Sequence, residues 1–230
     1  MANSRSFEIT EAMSAVEVIL AALQKTLTGL SGELGAKTNL LCGSLIVNGG
    51  VELQLGGAQF YIDLCNCFEA AQQAGATFAG LASVLATANS LTPIGRTAQA
   101  VVNFSVRMTL MEQARVLAAT KFTSRQEIDA FFRVIDASFQ AAELVAADNL
   151  DNTAYVALIS VHAAVSNDLA NRSFSLPAMV TYTFSDVMPS LWMAQRIYQD
   201  ASRNDELISE NQPINPLFMQ PTGKALATNA

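Results

Sequence analysis

The sequence predicts a mainly α protein. An alanine-rich helical body over residues 1–175, with a possible short β-hairpin in its glycine-rich segment, precedes a small strand–helix–helix–strand module over 176–230. Three observations carry this expectation. Apolar residues recur at helical spacing through most of the body. Of the 230 residues 51% are apolar and only 14% charged, a composition that builds a core instead of a disordered chain. After Asn171 the pattern changes to β-branched and aromatic residues interrupted by proline.

Val16, Ile19, Leu20, Leu23, Leu27 and Leu30 form the first stripe, with Ser14 and Glu17 as a capping box at its start and Gly29 and Gly32 at its end. Eight of the twelve glycines lie between Gly29 and Gly57. Within that zone "SLIVNGGVELQLGG" reads as a β-hairpin, because Asn48-Gly49 suits a primed turn and Val51, Leu53 and Leu55 alternate with polar positions. A glycine-loosened loop or broken helix is the alternative. One long helix is expected from Ala58 towards Ser90 and another from Thr97 to Thr120. Ser124 and Glu127 open a helix with the clean face Ile128, Phe131, Phe132, Ile135, Phe139, Ala142 and Ala146. The next helix carries Tyr155, Leu158, Ile159, His162, Val165 and Leu169 on one side. In the C-terminal module "MVTYTF" reads as a strand and "PSLWMAQRIY" as a helix with Pro189 at its first turn. "ASRNDELISEN" is a second short helix, with Ser202 and Asp205 or Glu206 near its start. Pro213, Pro216, Pro221 and Gly223 mark a turn before a terminal strand.

A net charge of −7 with scattered Lys and Arg excludes a binder that relies on neutralising nucleic-acid phosphates. Cys42, Cys65 and Cys67 cannot all pair within one chain, and Cys65 and Cys67 are closer together than a C-x-x-C site requires. They read as reduced thiols of a cytoplasmically made protein. "MANSRSFEIT" lacks the basic-then-apolar layout of a signal peptide. Residues 70–95 hold no charge but are mostly small, so they read as a buried helix, with a lipid span as the alternative. Ala76, Gly80, Ser83 and Thr87 share one face there and are expected to pack against another backbone in an oligomer.

No phosphate loop, dinucleotide fingerprint, nucleophile elbow or zinc-protease motif is present in the sequence. His162 is the only histidine and sits among apolar neighbours, so it reads as a structural group donating to a backbone carbonyl. Asp200, Asp205, Glu206 and Glu210 lie beside Arg196 and Arg203 at ordinary surface spacings, which fits a solvated face better than a glycosidase pair. Trp192 and Tyr198 are expected to anchor the small module around Leu191, Ile197, Leu207 and Ile208. No catalytic, metal-binding or cofactor-binding residue is assigned.

The stretch from Thr181 to Leu226 resembles the C-terminal end of the DNA circularisation proteins of Mu-like contractile-tailed phages, a family of tail and baseplate hub components. Pro189, Ala194, Arg196, Tyr198, Asp200, Ala201, Arg203, Asp205, Glu206, Leu207, Asn211, Pro216 and Gly223 stand at the places of that family's pattern. The alanine-rich helices from about Thr97 to Asn171 resemble the family's upstream region, while the residues before them do not. The same tail resembles a LysM module through "PSLWMAQRIY" and "ELISENQPIN". Met188-Pro189-Ser190 stands where a peptidoglycan-binding LysM carries Gly-Asp-Thr, a departure that turns the expectation from sugar towards protein.

The resemblance implies a non-enzymatic virion protein of a contractile tail, placed at the baseplate hub or tube–baseplate junction and present in the host cytoplasm during assembly. Its LysM-like end would dock neighbouring tail proteins through Trp192, Arg196, Tyr198, Asp200, Arg203, Asp205, Glu206, Asn211 and Phe218. Its partners would be other tail or baseplate proteins and further copies of itself, with no cofactor and no nucleic acid. The alternatives are a peptidoglycan-binding LysM-type module on a helical carrier and a membrane-active helical protein acting in DNA delivery.

Overall fold

A computed structural model describes residues 2–27 and 32–227, with side chains from residue 6. The mainly α class is as expected. The helices are α1 (Ala2–Lys25), α2 (Glu33–Gln54), α3 (Ala58–Gln73), α4 (Phe78–Ser90), α5 (Arg96–Ala119), α6 (Arg125–Asp148) and α7 (Asn152–Ser175). Beyond them come β1 (Met179–Thr183), α8 (Ser190–Tyr198), a 3₁₀ turn (Ala201–Arg203), α9 (Asn204–Asn211) and β2 (Thr222–Leu226).

The chain divides into two compact units. The first holds residues up to 120 together with 135–165. Within it α1 packs against α2, α4 and α5. Its stripe begins earlier than the capping-box reading placed it: Ile9 and Ala12 are buried in line with Val16, Ile19, Leu20, Leu23 and Leu27. Ser14 and Glu17 therefore lie on the exposed side of a continuous helix and cap nothing. Gly29 and Leu30 lie outside the described residues.

The hairpin expected inside residues 29–57 is absent, and the segment forms α2. Gly35, Thr38, Cys42, Leu45, Gly49 and Leu53 are buried at helical spacing, and that period prevails over the short alternation at Val51–Leu55. Gly49 serves packing instead of a turn. A Cβ there would stand 3.1 Å from the Phe60 ring and 3.2 Å from the Met13 methyl. The chain reverses at Gly56 and Gly57, whose φ angles are 122° and 78°.

The long helix expected from Ala58 to Ser90 is two helices. Gly75, at φ 99°, ends α3, and the Thr77 hydroxyl opens α4 by accepting from the Gly80 N–H at 3.1 Å. At 13 residues α4 is about 20 Å long, too short to span a bilayer core. Among the described residues no helix is long and apolar enough to cross a membrane. All three cysteines are free, and Cys42 and Cys67 are buried.

The turn before α5 is held by α1. Glu11 accepts from the backbone N–H of Ile94 at 2.8 Å and of Gly95 at 2.7 Å, while Glu8 accepts from the Thr97 hydroxyl at 3.1 Å. A Cβ on residue 95 would stand 2.6 Å from the Glu11 carboxylate. Gly95→Ala is thus expected to cost about 1–2 kcal/mol, read as a lower midpoint in urea. Combined with Glu11→Ala it should cost no more than the larger single loss, because both remove one anchor.

The second unit holds residues 121–134 and those from 166 onward. The division thus passes through α6 and α7, so their adjoining turns group with the C-terminal module. Hydrogen bonds account for this. Arg125 Nε donates to the Leu176 carbonyl at 2.7 Å, and the Gln126 amide exchanges bonds of 3.2 Å and 2.6 Å with the backbone of Met179. The α6 cap uses Ser124 Oγ as expected, at 3.3 Å from the Glu127 N–H, but Glu127 reaches back to Thr123 instead of Ser124.

In the module β1 and β2 pair antiparallel from Met179 opposite Leu226 to Thr183 opposite Thr222, with α8 and α9 between them in sequence. The core is Tyr182, Met193, Ala194, Tyr198, Leu207, Met219 and Ala225. Tyr182 faces Gly223 across the ladder, and its ring occupies the space a side chain at 223 would take. Leu191 and Trp192, expected in this core, are 58% and 43% exposed. The helical face of α8 that packs inward is Ser190, Met193, Ala194 and Tyr198.

Candidate functional site

The polar residues expected to face a partner are largely used inside the module. Asp200 accepts from the Ser202 hydroxyl at 2.7 Å and from its N–H at 2.8 Å, capping the 3₁₀ turn. Those bonds, the hydroxyl's first, hold its carboxyl below the usual carboxylate range. Arg203 donates to Glu206 through Nε at 3.1 Å and Nη2 at 2.6 Å, and its guanidinium lies 4.0 Å from the Tyr198 ring centroid. Tyr198 is buried, which pushes its phenol up, and its hydroxyl accepts from the Leu226 N–H at 3.3 Å. Asn211 ties α9 to β2. Its amide donates to the Leu207 carbonyl at 2.8 Å and the Lys224 carbonyl at 2.7 Å, and its oxygen accepts from the Lys224 N–H at 2.8 Å.

Tyr198, Asp200, Arg203, Glu206 and Asn211 therefore hold the fold. Left facing outward are Trp192, Arg196, Asp205 and Phe218. Trp192 meets Phe184 edge-on at 5.7 Å, and the Arg196 guanidinium lies 5.6 Å from its ring centroid. Phe218 is 65% exposed. The loop carrying it runs beside the start of α8, since the Ser190 N–H donates to the Pro216 carbonyl at 2.8 Å and Met188 bridges Met219. That places exposed Leu217 and Phe218 at the same end of the module as exposed Val187 and Leu191. The result is an apolar tip.

No family model matches the chain, and no curated protein does.

Part of the stripe expected to pack between copies is used within the chain. Ala76 is buried in the turn before α4, and a Cβ on Gly80 would come 3.1 Å from the Thr26 side chain. The Thr87 hydroxyl bonds back to the Ser83 carbonyl at 2.8 Å. Of the four positions Ser83 is exposed, and Gly80 and Thr87 are half-buried.

His162 has partners other than the backbone carbonyl that its surroundings in sequence pointed to. Nε2 lies 2.9 Å from Asp136 and Nδ1 2.8 Å from Glu143, and the ring stacks on Phe139 at 5.1 Å with planes 9° apart. Sequence reasoning also missed Glu112, which is wholly buried on α5 and pairs with Arg115 at 2.8 Å. Burial raises its carboxyl pKa, with the Arg115 charge acting against that rise. Within the module, sequence reasoning also missed the exposed Leu191, Ile214 and Leu217. The one signal for the last two was apolar bulk inside the proline-bounded stretch "PINPLF". Among the described residues no group of three or more His, Cys, Asp or Glu side chains is placed to hold a metal ion.

Proposed function

We propose that this chain is a non-enzymatic structural component of a phage or phage-derived contractile tail, at the baseplate hub or tube–baseplate junction. Its C-terminal module acts as an adaptor for neighbouring tail proteins. The observation that carries the reading is the apolar tip: Leu191, Leu217 and Phe218 stand 58%, 62% and 65% exposed on a module whose polar residues mostly bond internally. Large exposed apolar groups beside a polar rim are the anchors protein interfaces use. The strand–helix–helix–strand order agrees with the LysM-like resemblance, and of the acidic residues that a glycosidase would need Asp200 caps the 3₁₀ turn and Glu206 pairs with Arg203.

One observation favours a second reading. Trp192, 43% exposed with Arg196 beside it, is the type of aromatic on which a sugar face stacks, as a peptidoglycan-binding module requires. The deciding experiment offers the full-length protein both the particle's purified tail proteins and purified peptidoglycan. Capture of a tail protein, weakened about tenfold or more by Phe218→Ala, is the expected result. Retention on peptidoglycan, competed by soluble sugar oligomers and abolished by Trp192→Ala, would replace the adaptor reading.

A further inference from the structure

Helices α2 and α3 pack against each other on either side of the reversal at Gly56 and Gly57, and one contact gives their register. A Cβ on Gly49 would stand 3.1 Å from the Phe60 ring, so residue 49 of α2 lies against residue 60 of α3. Seven residues further from the reversal, two helical turns or about 10.5 Å, the same line carries Cys42 on α2 and Cys67 on α3. Seven more bring it to Gly35 and Ala74. Gly35 and Gly49 are buried, and Cys42 and Cys67 are wholly so. Small residues along this line let the two backbones approach closely, as a disulfide with Cα atoms about 4.4–6.8 Å apart requires. The two thiols already share a hydrogen bond. Cys65 is turned elsewhere, towards α5, where its thiol meets the Met108 sulfur at 3.6 Å.

We propose that Cys42 and Cys67 form a modification site, a buried dithiol that a hydroperoxide converts into a disulfide stapling α2 to α3. With hydrogen peroxide the Cys42 sulfur attacks first. The O–O bond breaks, an S–O bond forms, and the departing oxygen takes the thiol proton as water, leaving a sulfenic acid. The Cys67 sulfur then attacks Cys42 Sγ. An S–S bond forms, and the sulfenic hydroxyl leaves with the Cys67 proton as a second water. Both sulfurs are oxidised and both peroxide oxygens reduced. The shared hydrogen bond assigns the roles. It holds the Cys42 thiol below its ordinary range, and together with burial it pushes the Cys67 thiol up, so Cys42 is the nucleophile and Cys67 closes the bridge. Both sulfurs are closed to solvent, so the oxidant is a molecule of peroxide size and not a bulky disulfide. The bridge closes the chain around the glycine reversal and holds the hairpin shut. This inference stands apart from the tail-adaptor reading, since α2 and α3 belong to the other unit.

The test treats the reduced full-length protein with hydrogen peroxide and maps its cysteines by mass spectrometry. Cleavage after Glu52 separates Cys42 from Cys65 and Cys67, so a bridge joins two peptides that reduction releases. The expected result is a chain lighter by two hydrogen atoms, with Cys42 linked to Cys67 in the wild type and in Cys65→Ser alike. Its melting temperature should rise by about 5–10 °C and return on adding dithiothreitol. Cys67→Ser should stop at the first step and hold Cys42 as a sulfenic acid that dimedone captures. The wild-type linkage is read without any variant, so a folding defect in Cys67→Ser does not mask it. Peroxide that oxidises Cys65 while Cys42 and Cys67 stay reduced overturns the proposal. So does a disulfide through Cys65, or one between two chains, in place of the Cys42–Cys67 bridge.

Discussion

Gly223→Ala is expected to unfold the C-terminal module while leaving the helices α1–α5 intact. The new Cβ would stand 2.6 Å from Tyr182 Cζ, and closer still to the Tyr182 hydroxyl and the Asn211 amide oxygen. None of these has free space to retreat into. Tyr182 is part of the small core, and Asn211 is fixed by bonds to both strands of backbone it joins, at Leu207 and Lys224. Overpacking a site of this type costs about 1–3 kcal/mol, and the broken Asn211 bridge adds about 1–2 more. So small a core has little stability in reserve. Amide hydrogen exchange is the appropriate readout. The Lys224, Leu226 and Phe184 amides, bonded to Asn211, Tyr198 and the Pro221 carbonyl, should lose protection together. Asn211→Ala should produce the same pattern at lower cost. Unchanged protection in both variants would mean that the close approach at Gly223 does not hold the module.

The second large effect is expected at His162. Replacing it by Ala removes two short contacts to Asp136 and Glu143 and a stacked ring on Phe139, and leaves two carboxylates facing vacated space. An ionised carboxylate only accepts, so each contact is made when the ring nitrogen it faces carries the proton. The His162 and Glu143 side chains are 16% and 17% exposed, so water compensates only in part. A loss of about 2–3 kcal/mol in urea unfolding follows, well above that of a surface ion pair. Adding Glu143→Gln should recover part of the loss, because the second carboxylate then no longer sits uncompensated. A cost below about 0.5 kcal/mol would place the cluster among solvent-screened pairs and refute the assignment.

The parts of this fold legible in the sequence are those set by local period. Helices α5 and α6 fall almost where their stripes put them, and the order of elements after Pro177 follows from β-branched residues, Pro189 and the closing prolines. The failures have distinct physical origins. Ser14 and Glu17 have the spacing of a cap, but Ile9 and Ala12 continue the buried stripe before them, and burial outweighs a local motif. The glycines of α2 resemble turn residues, yet Gly49 is there to admit Phe60 from a later helix, which no local window reveals. His162 finds carboxylates 19 and 26 positions away, a pairing created only when α6 and α7 fold back on each other. In the candidate site, residue type did not reveal which way each side chain points. An Asn or Tyr that bonds internally has the same letter as one that meets a partner, and only the backbone at Lys224 and Leu226 separates the two uses.

The strand register has a mechanical consequence. Met179 and Leu226 form the outermost pair of the ladder, and the Ala227 N–H still reaches the Ala178 carbonyl at 2.7 Å. The two ends of the module therefore lie side by side, with the helices as the far loop. Tension applied through the chain at Ala178 and Ala227 pulls the strands apart rung by rung instead of sliding them past one another. Each step opposes the load with one or two hydrogen bonds, so the module peels at low force. A push on its apolar tip meets the packed core all at once. Such a module resists compression and releases under tension.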